Sequence, residues 1–234
     1  MPSATKTSVQ PIENLSSRAL RTREKLKIAT RDSLNEIGFH RMRVQDITRC
    51  AGVASGLFYR YFPGIREIVR EICKEFMDEL NALTRNLPAQ VHPYDRILER
   101  HLLAVEMFSN NPGIVRCLFH HDDDFPEFSQ VWKTAAHDWN LQVAEFLQSQ
   151  ASMPSEQAEQ MAYVLGAMTE GIFFQYLIRH TKDLFNIGRK PKDIAEIIAI
   201  MWYRTIYLAD PPAEKLNSTN SLIHYIVTSK MIST

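Results

Sequence analysis

Apolar residues return every three or four positions over most of this chain. Between Ile65 and Leu83 the pattern is unbroken: Ile65, Ile68, Val69, Ile72, Phe76, Leu80 and Leu83 make one stripe. That is the period of an α-helix with one buried face. No segment alternates apolar and polar residues as a half-buried strand does. The fold class expected is therefore all-α.

Proline, glycine and asparagine divide the pattern into pieces. The first helix reads as about 18–37, with Ser16 or Ser17 as N-cap and Leu26, Ala29, Ser33, Leu34 and Ile37 on its inner face. Gly38 supplies its stop. A short second helix fits 43–50, with Val44, Ile47 and Cys50 inward. A third starts at Ser55, a plausible cap, and ends by Phe62. Pro63 suits the first turn of a fourth helix reaching about 86. Further helices are expected near 93–110, 112–120, 126–150, 155–180 and 191–208. The chain of 234 residues is long enough to bury a sizeable core. Segments 161–178 and 194–208 approach the length of a membrane span. The first carries Glu170 and Gln175, and the second is short and carries Glu196 and Arg204, so both read as buried helices. The first 17 residues are polar and carry no apolar signal sequence. No membrane association is expected.

The net charge of zero conceals a split. Residues 18–71 hold twelve Lys/Arg against six Asp/Glu, and the stretch from Ile72 onward holds fourteen against twenty. A basic first quarter on an acidic remainder suits a chain that meets a polyanion at one end. Within the basic quarter lies RVQDITRCAGVASGLFYRYF, residues 43–62. Two short helices joined by Ala51-Gly52-Val53-Ala54 make a helix-turn-helix, with Gly52 free to take the backbone angles the turn needs. A helix about 10–12 Å wide fits the roughly 12 Å major groove of DNA. At the front of the third helix stand Ser55, Gly56 and Leu57. Ser55 can donate or accept, Gly56 adds no bulk, and Leu57 can meet a thymine methyl. Tyr59 and Tyr61 carry hydroxyls suited to phosphate oxygens, and Arg60 adds charge. Arg43 and Gln45 open the preceding helix, where Gln45 can reach a phosphate or a base edge.

Residues 23–69 resemble the N-terminal domain of the tetracycline-repressor (TetR) family. The likeness rests on Gly38-Phe39, Val44-Gln45-Asp46-Ile47, Ala51-Gly52-Val53, Gly56, Phe58-Tyr59, Tyr61-Phe62-Pro63 and Glu67. It implies a homodimer that binds a palindromic double-stranded operator. Gln45, Ser55, Gly56, Leu57 and Arg60 would lie at or near the bases, and Arg43, Tyr59 and Tyr61 at phosphates. Three positions depart from the family pattern. Met42 and Arg43 replace the usual hydroxyl residues, Leu57 stands where Thr is common, and Ile65 where a phosphate-binding Lys is common. Arg66, one residue on, is the candidate substitute.

By chain order this gives a tail over 1–16, a helix-turn-helix domain over 17–64, a helical effector-binding and dimerisation domain over 65–210, and a tail over 211–234 with one short helix near 220–229. The segments 155–180 and 191–208 are apolar on more than one face. A dimeric four-helix bundle would cover them through Ala162, Gly166, Ile194, Ile197, Ile198, Met201 and Trp202. The core of a single chain is the alternative. An effector pocket is expected among Phe108, Trp132, His137, Trp139, Tyr163, Met168, Phe173 and Tyr176, which suits a lipophilic or aromatic small molecule. The resulting expectation is a ligand-responsive transcriptional regulator of repressor type, without cofactor or enzymatic activity, in the bacterial cytoplasm at the nucleoid.

Two features admit other functions. His120-His121-Asp122-Asp123-Asp124 offers metal ligands and acid–base groups, so a metal-dependent hydrolase is one alternative. A solvated loop placing histidines after one helix and acids before the next explains it equally. A helical adaptor docking a partner protein through 155–208 is the other alternative. Cys50, Cys73 and Cys117 lack metal-ligand spacing. They read as free thiols in a reducing compartment, either filling small apolar sites or sensing oxidants.

Overall fold

The computed structural model describes residues 15–88, 92–119, 125–181 and 190–216. The described residues are all-helical: α1 Ser17–Glu36, α2 Val44–Ala51, α3 Ser55–Tyr61, α4 Ile65–Arg85, α5 Pro93–Asn110, α6 Pro112–Leu118, α7 Pro126–Ala151, α8 Ser155–Phe173 and α9 Pro191–Tyr207. A π-helical turn, Phe174–Ile178, extends α8, and a 3₁₀ turn covers Ala213–Lys215. The tail over 1–14, the His120–Asp124 loop and the helix expected near 220–229 lie outside the described residues.

Local chemistry explains the helix ends. Ser16 caps α1, its hydroxyl accepting the Ala19 N–H at 3.3 Å. Gly38 follows that helix at φ 76°, and Gly52 closes α2 at φ 65°, both left-handed. Two local expectations need correction. Pro63 and Gly64 form a bend, and α4 begins only at Ile65. Ser55 is the first residue of α3 while Ala54 is its cap, and the Ser55 hydroxyl lies 3.3 Å from that of Thr48.

The chain divides into two compact units. The first takes residues 1–77 together with 111–132, and the second takes 78–110 with 133–234. Packing thus brings α6 to the first helices, across the order of the sequence.

In the first unit, Leu26, Leu34, Ile47, Phe58, Ile68 and Ile72 form a core closed to solvent. Cys50, expected inward, is exposed. Charged pairs tie α1 to α4. Arg23 makes a two-pronged contact with Glu71, one prong at 2.5 Å, and Lys27 Nζ meets Glu75 at 2.7 Å. The Arg23 guanidinium also lies 4.6 Å over the ring of Phe62, just past α3. Burial opposes ionisation of both Glu71 and Lys27. For Glu71 the hydrogen bond and charge of Arg23 outweigh it and hold the carboxyl below its ordinary value. For Lys27, hydrogen bonds to Glu24 and Glu75 outweigh it and hold the ammonium above. α6 seats on the end of α1: the Gly113 N–H donates to Asn35 Oδ1 at 2.8 Å and Arg116 donates to the Leu34 carbonyl at 3.3 Å.

In the second unit α9 packs along α5, and every residue from Ile194 to Ile200 is buried. This corrects the dimer face expected there. Ile194, Ile197, Ile198 and Trp202 are already covered within one chain, and Met201 is half-buried. Ala162 is buried too, and a Cβ on Gly166 would collide with the amide oxygen of Asn140. The neighbour that an apolar helix demands is here supplied by the same chain. What α8 leaves uncovered is a different stripe: Tyr163, Val164, Ala167 and Gly171, with Val164 65% exposed.

Candidate nucleic-acid interface

α3 is short, so its two sides separate cleanly. Phe58 and Tyr61 point inward three residues apart, and the Phe58 ring lies 5.8 Å from that of Phe62. Ser55, Gly56, Tyr59 and Arg60 occupy the opposite, exposed side, with Leu57 at its border. A Cβ on Gly56 would meet no atom within 4 Å, which leaves that stretch of backbone open to a close approach. Tyr59 is 48% exposed and Tyr61 only 6%. Tyr61 is therefore a core residue and not the phosphate contact the sequence suggested.

The turn that presents α3 is held by backbone bonds. Gly52 N–H donates to the Arg49 carbonyl at 3.2 Å, and Val53 N–H to the Thr48 carbonyl at 3.0 Å. On α2, Gln45 is exposed. Asp46 accepts the Arg43 backbone N–H at 2.9 Å and pairs with Arg49 at 2.6 Å. The Arg43 guanidinium is folded back onto the carbonyls of His40 and Met42, each at 3.2 Å, and remains at the surface. Arg66 is turned elsewhere. It sits 4.6 Å over the Phe125 ring and 3.8 Å from Glu127, so it does not replace the lysine absent at position 65.

Sequence reasoning missed a groove beside this face. It has a volume of about 510 Å³ and is lined by Arg43, Tyr59, Pro63, Gly64, Ile65 and Phe125, among others. Phe39 and Phe125 line it and meet edge to face at 4.8 Å, and Phe128 packs edge to face on Phe39 at 5.1 Å and parallel to Phe125 at 5.8 Å. It places the first turn of α4 next to Arg43 and Tyr59, on the side where α3 is exposed.

The residues expected to line an effector pocket do not come together as one set. Phe108 and Phe173 are buried against each other at 5.3 Å, and Tyr176 is buried. Met168 and Trp139 are half-buried. Trp132 falls in the first unit, 4.4 Å from Phe119, which removes it from the set. His137 and Tyr163 hydrogen-bond each other on the exposed surface of α7 and α8 and line no interior. A residue not singled out in the sequence lies at the centre of the aromatic cluster. His101, 2% exposed, has its ring 4.9 Å from Trp202 and 6.4 Å from Trp139. Its Nδ1 lies 2.8 Å from the Ile97 carbonyl oxygen. Burial pushes the imidazole down to about 4, so it is neutral near pH 7. A carbonyl only accepts, so Nδ1 carries the proton and Nε2 is a lone-pair acceptor. That Nε2 is buried without a hydrogen-bond partner, as are the Tyr94 hydroxyl and Asn140 Oδ1. A histidine placed four residues after Ile97, on a stripe with Tyr94 and Val105, was the available sequence signal. Among the described residues no group of three His, Cys, Asp or Glu is placed to hold a metal.

Residues 29–72 match the family model for bacterial regulatory proteins of the tetR family. No curated protein matches the chain by sequence. Solved structures resemble it over three quarters of its length or more. A TetR-family transcriptional regulator from Streptomyces coelicolor aligns at TM-score 0.68 and 14% identity, over 91% of this chain and 98% of its own. A transcriptional regulator from Rhodococcus sp. Rha1 aligns at 0.63 and 16%, over 78% and 96%. The fatty acid degradation regulator FadR from Bacillus halodurans aligns at 0.56 and 14%, over 76% and 92%. Residues 29–72 are thus the DNA-binding helix-turn-helix region of the tetR family of bacterial regulatory proteins, on a chain with the fold of TetR-family transcriptional regulators.

Proposed function

We propose that the chain is a ligand-responsive repressor that binds a palindromic operator as a homodimer. The observation that carries this reading is the exposed side of α3, where Ser55, Gly56, Tyr59 and Arg60 stand together behind a left-handed Gly52 turn. Gly56 lets the helix backbone approach base edges, Ser55 and Arg60 read or steady them, and Tyr59 and Arg43 engage phosphates. A dimer would present two such helices to successive major grooves about 34–36 Å apart. The uncovered stripe of α8, centred on Val164, is the face best suited to pair with a second copy. We read the segment Ser155–Ile178 as that packing surface, although by length and mean hydropathy of 1.3 it is apolar enough to cross a membrane.

The effector would enter the second unit near His101. A neutral lipophilic or aromatic molecule carrying one N–H or O–H donor suits an unpaired Nε2 between two indole rings. Its binding would favour a dimer geometry unsuited to the operator, which needs a coupling of only about 1–3 kcal/mol. The test is recovery of genomic fragments by the purified protein. Enrichment of inverted repeats, with affinity falling steeply as salt rises, is the expected result. Recovery of no sequence above background, or salt-independent binding, contradicts the reading.

A further inference from the structure

α5 lays two arginines across one face of α7. Arg96 and Arg100 stand four residues apart, so they project from the same side of α5. Facing them, Trp139, Gln142 and Phe146 follow one another at three and four residues along α7. The Arg96 guanidinium lies 5.3 Å over the Phe146 ring, and that of Arg100 lies 5.9 Å over the Trp139 ring. Arg100 also donates to the Gln142 amide oxygen at 3.3 Å. The Gln142 amide nitrogen is held in turn by the Asp138 backbone carbonyl at 3.3 Å. All five side chains belong to the second unit. Arg96 is exposed, and the other four are half-buried.

What this pair lacks is a counter-charge. Among the described residues, neither arginine pairs with a carboxylate; their contacts are the two rings and one neutral amide. Other cations of the unit do find acids: Arg204 meets Asp210 and Lys215 meets Asp95, each at 2.6 Å. The second of these takes the carboxylate next to Arg96 in sequence. Composition favours the opposite outcome, since the chain from Ile72 onward holds twenty Asp/Glu against fourteen Lys/Arg. Arg100 Nε is buried without a hydrogen-bond partner. Burial, with the like charges of Arg96 and Arg85, pushes the Arg100 guanidinium down to about 10. A half-buried cation answered only by an amide and ring faces is costly to hold, and an anion within reach of both guanidiniums offsets that cost.

We infer that this face is a binding site for an organic carboxylate, its charged end between Arg96 and Arg100 and its apolar body against Phe146 and Trp139. A guanidinium meets a carboxylate with a planar fork of N–H donors and also lies flat on aromatic rings, so it can serve both halves of such a ligand. An inorganic anion would engage the donors and gain nothing from the rings. The site differs in chemistry from the His101 cluster, which offers a lone pair to a neutral donor. Trp139 borders both, edge-on to His101 and under the Arg100 guanidinium.

The test titrates the full-length protein, without DNA, in a calorimeter. The probes are 4-phenylbutyrate, the matching alcohol 4-phenylbutan-1-ol, and inorganic phosphate. The carboxylate should bind about tenfold more tightly than the alcohol or phosphate. Arg96→Gln and Arg100→Gln should each weaken the carboxylate about tenfold and leave the alcohol unchanged. The carboxylate should also raise the melting midpoint of the wild-type protein and of neither variant. Arg100→Gln alters a half-buried side chain, so Arg96→Gln, at an exposed position, decides the matter if the first variant does not fold. Absence of carboxylate binding at millimolar concentration, an alcohol or phosphate that binds as tightly, or wild-type carboxylate affinity in Arg96→Gln would each overturn the inference. No DNA enters the titration, so its result leaves the operator reading untouched.

Discussion

Gly113→Ala tests the packing that seats α6 on α1. A Cβ at this position would stand 2.5 Å from the Leu34 carbonyl carbon, 2.6 Å from its oxygen and 2.7 Å from the Asn35 nitrogen, where ordinary contact begins at 3.4 Å. All three are backbone atoms within a helix, so they cannot rotate away. α6 has to retreat by about an ångström, which stretches the 2.8 Å bond from Gly113 N–H to Asn35. Overpacking of this kind costs about 1–3 kcal/mol, and losing the hydrogen bond roughly 1 more. Alanine's better helix propensity offsets up to ~1 kcal/mol. The net expectation is a loss of about 1–3 kcal/mol. For a chain of 234 residues, each kcal/mol lowers the melting midpoint by roughly 2–4 °C. Urea titration followed by circular dichroism reads the loss directly. Asn35→Ala, which removes the hydrogen bond without the collision, should lose only about 1 kcal/mol. A Gly113→Ala midpoint equal to wild type, or above it, would refute the close approach of α6 to α1.

Three further outcomes are expected. Gly52→Ala forces a side chain into the left-handed region at φ 65°, with no neighbouring atom to blame. Thermal melts should show a loss of about 1–2 kcal/mol, and Gly52→Asn should lose less. Tyr59→Phe should leave the melting curve unchanged and weaken operator binding by about 1 kcal/mol in a gel-shift titration. Wild-type affinity would remove Tyr59 from the interface. The ion pairs between α1 and α4 set a pH window. Glu71 is held below its ordinary value, so its contribution is present above about pH 4.3 and is lost as pH falls through the folded value. Lys27 is held above, so its contribution is complete below about pH 10.4 and is lost as pH rises through the folded value. Melting temperature against pH should therefore decline at the acid end less steeply in Glu71→Gln than in wild type.

What the sequence made legible is local chemistry. Ser16, Gly38 and Gly52 act within a few residues of themselves, so their roles could be read before any packing was known. The split between Tyr59 and Tyr61 was legible too, and was misread. Tyr61 lies three positions after Phe58, on the same side of a helix, and a strict count of 3.6 residues per turn sends it inward with that ring. Other features depend on distant segments. Apolar residues on every side of α9 announce that it is covered, but not that α5 of the same chain covers it. Nothing near Gly113 names Asn35 as its partner. Trp132 looks like Trp139 in composition and spacing, yet packing divides them between two units.

The central claim is that α3 enters the major groove, once in each half of a two-fold site. Guanine N7 lies in that groove, so interference by its methylation tests the claim directly. On a duplex recovered by the wild-type protein, methylation should block binding at two clusters about 10 base pairs apart or a multiple of that spacing. Arg60→Ala should weaken that pattern. Binding that tolerates N7 methylation throughout, while methylation of adenine N3 in the minor groove blocks it, would contradict the account.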